Sequence, residues 1–337
     1  MIVTQSSTFR LMQTNLERIT SKLQDLQNQG ATGLRLNKPS DDPASIGPVL
    51  TTRTQIRDTD RFLTTMGVTA DKMAATDGYM ASIETALQSA KEITTNAINS
   101  SLSDADRATL ADQIDQLKNQ LLDSANATVD GKYIFAGYQE NTKPFTANPN
   151  YNNPLTPYNP ADSTTWPYLY NGDANPTKLQ ISPGEYLDAT ITGNQLFLGV
   201  SNANWVNSTT PATGTQPEPG KIDIFSALTR ASEAIRANNV NNPAGPGGGM
   251  QNGLTNLETA ADQERIIRSR LGTRATRVED ATQQEQSVKI DLQQILSRYQ
   301  DADSIATFND ISKQQTAFQA ALNITAKVSK ISILDYI

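Results

Sequence analysis

Apolar positions near the start of the chain follow a narrow helical period. Phe9, Met12, Leu16, Ile19, Leu23 and Leu26 are separated alternately by three and four residues. That is the seam of a coiled coil, narrower than the buried face of a globular helix. The stripe stops at Gly30, a helix-ending residue. Ser40-Asp41-Asp42-Pro43 then supplies capping side chains followed by proline at a first helical position, so a second helix starts at Pro43, or at Pro48 with a kinked first turn. Ile83, Leu87, Ala90 and Ile93 continue a helical face. Ser103 to Asp106 opens another helix, with Leu110, Ile114, Leu117 and Leu121 on one side.

The far end of the chain repeats this character. Ile224 to Ile235 reads as a short amphipathic helix, Asn238 to Gly249 as a loop, and Leu254 to Tyr299 as a long helix with Val288, Leu292, Ile295 and Tyr299 on one stripe. Asp301-Ala302-Asp303 reads as a helix break or cap. The last helix, about 45 Å long at 1.5 Å per residue, carries two tracks. One holds Phe308, Ile311, Phe318, Leu322 and Thr325, the other Ala321, Ile324, Val328, Ile331 and Leu334.

Between these arms the pattern changes. Residues 141–220 hold eleven of the sixteen prolines and both tryptophans. Leu179–Ile181, Tyr186–Thr192 and Gln195–Leu198 read as short strands, with Gly193-Asn194 as a hairpin turn. The expected fold is therefore mainly α with an inserted β domain. Long antiparallel terminal helices form a coiled coil from 1–40 plus 301–337, a helical bundle comprises 41–140 plus 221–300, and 141–220 is a β-rich insertion. Matching narrow stripes at two distant ends imply that the ends pair with each other. Such a pair buries little by itself and calls for further copies or partners. A closed intramolecular bundle is the alternative.

Composition removes most chemistry. The chain of 337 residues has no histidine and no cysteine, a net charge of −7 and 37% hydrophobic residues. Absence of both residue types excludes disulfides, thiol nucleophiles, histidine bases and the usual zinc and haem ligands. An acidic chain without a basic block is not a nucleic-acid binder. No run approaches the length of a membrane helix, and the N-terminus lacks the pattern of a secretory signal peptide. Gly245 to Gly249 lacks the Gly-Lys-Ser/Thr that completes a phosphate loop. No catalytic, cofactor or metal residue is expected. Carboxylate chemistry alone survives, through Asp162, Asp173, Glu185, Asp188 and Glu218 among the aromatics of the insertion. A carbohydrate-binding or glycosidase module is the alternative function there, set against the aromatic core of a β module.

Three segments carry a resemblance. Gly33-Leu34-Arg35-Leu36-Asn37-Lys38-Pro39-Ser40-Asp41-Asp42-Pro43 resembles the segment after the first helix of bacterial flagellin-like axial proteins. Gly131-Lys132-Tyr133-Ile134-Phe135-Ala136-Gly137-Tyr138, with Thr142-Lys143-Pro144-Phe145, resembles a segment of the hook-associated protein 3 family. The ending Ser329 to Ile337 is similar to that family's apolar-Asp-Tyr-apolar close. Gly47-Pro48, and Ala136 where glycine is common, depart from the pattern.

The resemblance implies a non-enzymatic subunit at the hook–filament junction, with filament flagellin as the near alternative. It implies export by the flagellar type III route without a cleaved signal peptide, and an extracellular place in the flagellum. The implied partners are further copies of itself, the first hook-associated protein, flagellin, and an export chaperone on the C-terminal helix. The assembly residues would be those of the stripes: Phe9, Met12, Leu16, Ile19, Leu23, Leu26, Phe308, Ile311, Phe318, Leu322, Ile324, Val328, Ile331 and Leu334.

Overall fold

A computed structural model describes residues 2–99, 101–151, 159, 162, 165–205 and 216–334, with backbone alone at most positions before Phe9 and after Lys327. The fold is mainly α with small antiparallel sheets inserted. It divides into two compact units, residues 1–60 with 286–337, and residues 61–285.

In the first unit, helix α1 (Ile2–Thr32) packs along α7 (Ser304–Leu334). α1 runs past the expected stop at Gly30. Its terminator is Gly33, in the left-handed region at φ +70°, whose N–H donates to the Gln29 carbonyl. Gly30 instead lies inside the helix, where a Cβ would sit 3.2 Å from Ile311 Cδ1. Its missing side chain lets α7 approach. Helix α2 (Pro43–Asn99) starts at Pro43 and continues through Pro48. Pro48 sits early in the helix, and the Asp42 carboxylate secures the start by accepting from Ala44 N, Ser45 N and Ser45 Oγ.

The second unit is built on α2 and α6 (Met250–Gln300), with α3 (Asp104–Ala125) packed against α5 (Ile224–Arg236). Ser103 opens α3 with a full capping box to Asp106. Asp130 and Gly131 both take positive φ, the geometry of a two-residue hairpin turn, and join β1 (Thr128–Val129) to β2 (Lys132–Tyr133). Two more antiparallel pairs follow: β3 (Phe145–Ala147) with β4 (Tyr168–Tyr170), and β5 (Lys178–Ser182) with β6 (Glu185–Asp188).

The expected hairpin turn at Gly193-Asn194 and strand at 195–198 are not formed. Gly193–Leu196 is a short helix, α4, buried against aromatics. A Cβ on Gly193 would lie 2.5 Å from the Tyr170 ring and 2.9 Å from that of Phe145, so packing, not a turn, requires this glycine. The division by composition and the division by packing also differ. Phe145, Leu179, Ile181, Ile191 and Phe197 of the insertion share one buried cluster with Ile83, Leu87, Ile114, Phe225 and Leu257 of the helices. Proline and turn residues set the composition of 141–220, whereas its few large side chains decide what it packs against.

Candidate assembly surface on the terminal helices

α1 and α7 are antiparallel. Gly30 lies beside Thr307 and Ile311, while further from the turn the Ile19 carbonyl accepts from Gln314 Nε2 at 3.3 Å. On α1 the sequence stripe is the inner face: Met12, Leu16, Ile19 and Leu23 are half-buried and Leu26 is buried. On α7 the inner face runs Thr307, Ile311, Gln314, Phe318, Ala321 and Thr325, at alternating spacings of four and three. Of the predicted assembly residues on α7 whose side chains are described, Ile311 and Phe318 belong to it, and Phe308, Leu322 and Ile324 do not. Threonine, glutamine and alanine occupy the rest, which is why a hydrophobic pattern alone did not trace this seam.

Four of the predicted residues are exposed. Phe308 is 63% exposed, Leu322 43%, Ile324 55% and Phe9 55%. Leu322 therefore does not face the helix pair, contrary to its expected place on the Phe318 track. At helical spacing, Leu322 flanks one side of the α7 seam and Ile324 the other. Val328, Ile331 and Leu334 lie outside the residues whose side chains are described. Two exposed residues were missed by the sequence pattern, Leu11 and Ile305, the latter 77% exposed. Neither falls on a periodic stripe, and their only signal was a large apolar side chain in an otherwise polar setting.

The arrangement has two levels. One narrow seam pairs the two ends within the chain. Apolar side chains on its flanks remain uncovered, a pattern that marks an interaction surface. A two-helix pair offers no third element to cover them.

The turn beside this pair explains the first resemblance segment. Leu34 bridges Asp301 in antiparallel fashion, and the Arg35 and Leu36 amides both donate to the Gln300 carbonyl. Arg35 Nη2 donates to the Tyr299 carbonyl at 2.9 Å, and Arg35 Nη1 lies 3.5 Å from Asp42. The Asp41 carboxylate accepts from Asn37 N and Lys38 N. The Ser45 hydroxyl bond holds the Asp42 carboxyl below its usual range, with burial opposing. Asp303 caps α7 through Ile305 N and Ala306 N. This segment thus ties the exit of α1 to the α6–α7 junction. It is an anchoring device with no reacting group.

The second segment is equally structural. Phe135 and Ala136 are fully buried, and the Phe135 carbonyl accepts from Tyr170 Oη at 2.8 Å and Gly193 N at 2.8 Å. Gly137, at φ +67°, has no room for a Cβ beside Asp173.

The insertion presents no sugar platform built from its tryptophans. Trp166 and Tyr170 are buried, and Trp205 packs edge-on against Tyr170 at 5.2 Å. Three of its acids have structural partners: Glu185 pairs with Arg277, Asp188 with Arg274, and Asp173 accepts from Tyr138 N and Asn175 N. Among the described residues no group of three or more carboxylates is placed to hold a metal ion, and no helix is long and apolar enough to cross a membrane.

Comparison with known proteins agrees with this architecture. Residues 3–140 match the bacterial flagellin N-terminal helical region, and residues 254–337 match the C-terminal helical region. The chain is 27% identical to flagellar hook-associated protein 3 of Escherichia coli over 344 aligned residues, covering 98% of each chain. It is 26% identical to the protein of the same name in Salmonella typhimurium, again over 98% of each. The fold is similar to that of the flagellar junction protein of Legionella pneumophila, with a TM-score of 0.53 at 18% identity, covering 77% of this chain and 100% of that one.

Proposed function

The chain belongs to the flagellin-like family of flagellar axial proteins, in its hook-associated protein 3 branch, and from that premise we propose that it is a structural subunit of the junction between hook and filament. The observation that carries the mechanism is the two-level terminal pair. The inner seam sets the relative register of α1 and α7, and the exposed apolar residues of the pair, Phe9, Leu11, Ile305, Phe308, Leu322 and Ile324, are the side chains that neighbouring subunits cover. Covering several large apolar residues at roughly 1.5–3 kcal/mol each supplies a driving force that the isolated chain lacks. The partners are further copies of the chain and the axial proteins on either side, the hook-associated protein below and flagellin above. The role is assembly rather than catalysis. Filament flagellin is the less favoured reading, because the full-length relatives carry the hook-associated name.

Export through the flagellar type III route, and a chaperone holding the C-terminal helix before assembly, complete the proposal. An apolar α7 with uncovered flanks is a segment that needs protection in solution.

The test is Phe308→Asp with Leu322→Asp, in a strain lacking the native protein. Both side chains are solvent-exposed in the monomer, so circular dichroism and melting of the purified chain should be unchanged. Motility and filament attachment should be lost, because a carboxylate buried between subunits is costly. Gln319→Asp, exposed on the same helix, should be mild. Normal filaments with the double variant would remove the flanks from the mechanism.

A further inference from the structure

A buried acid outside the assembly surface lacks any bonded partner. Glu264 of α6 is 0% exposed, within a helix face whose other members, Leu257, Ala260, Ile267 and Leu271, are core residues. Both of its carboxyl oxygens are buried without a hydrogen-bond partner. The cation one turn away, Arg268, is already committed. Its Nε donates to Asp77 Oδ1 at 2.7 Å, its Nη2 to Asp77 Oδ2 at 3.1 Å and its Nη1 to Glu84 Oε2 at 2.7 Å. The two carboxylates from α2 therefore hold the Arg268 guanidinium, and Glu264 makes no hydrogen bond to it. The charged groups bearing on Glu264 are Glu84 and Asp77 from α2 and Arg268 and Arg265 from its own helix.

We infer that Glu264 is a proton-controlled latch within the 61–285 unit: it packs as a neutral carboxylic acid, and the unit loosens when that proton is lost. An ionised Glu264 would be a second uncompensated negative charge beside a guanidinium already neutralised, with both of its own oxygens shut off from water. Burial first, and then Glu84, push its carboxyl up to about 7, with Arg268 opposing. A folded-state value raised above the unfolded one places the sign. The stability is fully present below the ordinary glutamate value and is lost as the pH rises through about 7. The folded-to-unfolded ratio should fall by about two orders of magnitude over that span.

The experiment is urea unfolding of the full chain from pH 5 to 8.5, with Glu264→Gln beside it. Gln keeps the shape and cannot ionise. Among the described residues two other carboxyls share the direction, Asp223, pushed up by burial to about 6, and Glu233, pushed up by burial to about 7. Both remain in the variant, so the difference between the two proteins isolates Glu264. The wild-type ratio should fall about a hundredfold further than that of the variant. Parallel curves would overturn the latch. If Glu264→Gln does not fold, Glu84→Gln decides. It removes a neighbouring negative charge that pushes the Glu264 carboxyl up, so the loss of stability must move to lower pH. An unmoved midpoint would equally overturn the inference.

Discussion

Phe197 offers the sharpest test of how the insertion is held. It is fully buried. Its ring meets Phe135 edge-on at 5.4 Å, Phe145 edge-on at 4.9 Å and Phe225 in a stack at 5.6 Å. Two of those partners come from outside 141–220, one from the segment after α3 and one from α5. Phe197→Ala removes on the order of 130 Å² of apolar surface, about 3 kcal/mol at 25 cal/mol/Å². The cavity left behind and the missing ring–ring attraction raise the cost towards about 4–5 kcal/mol, within the usual range for buried Phe→Ala. Against a domain stability of about 5–15 kcal/mol that is a large fraction. The assay is guanidinium unfolding followed by two probes, far-UV circular dichroism for the helices and tryptophan fluorescence for Trp166 and Trp205 of the insertion. With a shared core, both transitions move together to lower denaturant. A shift of the fluorescence transition alone, with the helices unchanged, would show that 141–220 folds independently. A loss below about 1.5 kcal/mol would show that the aromatic cluster is looser than the ring distances imply.

Two local features give smaller, separate predictions. Ser103→Ala breaks the capping box of α3 and should cost about 1 kcal/mol, read as a lower urea midpoint at unchanged slope, since the denatured chain is unaltered. Gly247→Ala should be worse. At φ +65° its new Cβ would lie 2.2 Å from the Arg230 carbonyl oxygen, so left-handed strain of about 1–2 kcal/mol adds to a clash with backbone; a melting temperature within a degree of wild type would refute this.

Much of the architecture was written in the sequence because it rests on local rules. The three-and-four spacing from Met12 to Leu26 is the inner face of α1, and Asp42-Pro43 is where α2 begins. Asp303 is a cap. Each depends only on side-chain periodicity or on a short-range hydrogen bond. Absence of histidine and cysteine likewise settled what chemistry to set aside. On α7 the same logic failed in part, since the seam positions Thr307, Gln314 and Ala321 are not strongly apolar and the larger residues sit on the flanks. A pattern identifies apolar side chains but not which neighbour covers them. That choice belongs to the tertiary structure. So does the role of Gly193, which reads as a turn residue and is required by the Tyr170 and Phe145 rings. So does Glu264, which is an ordinary helical acid until α2 places Asp77 and Glu84 on the donors of Arg268. The sequence alone determined the long helices, the caps that open α2, α3 and α7, and the inner stripe of α1, because those follow from periods and caps within a few residues. Which face stays bare, which insertion joins the core and which acid loses its partner were decided only by packing, because each depends on residues far apart in the chain competing for the same space or the same donor.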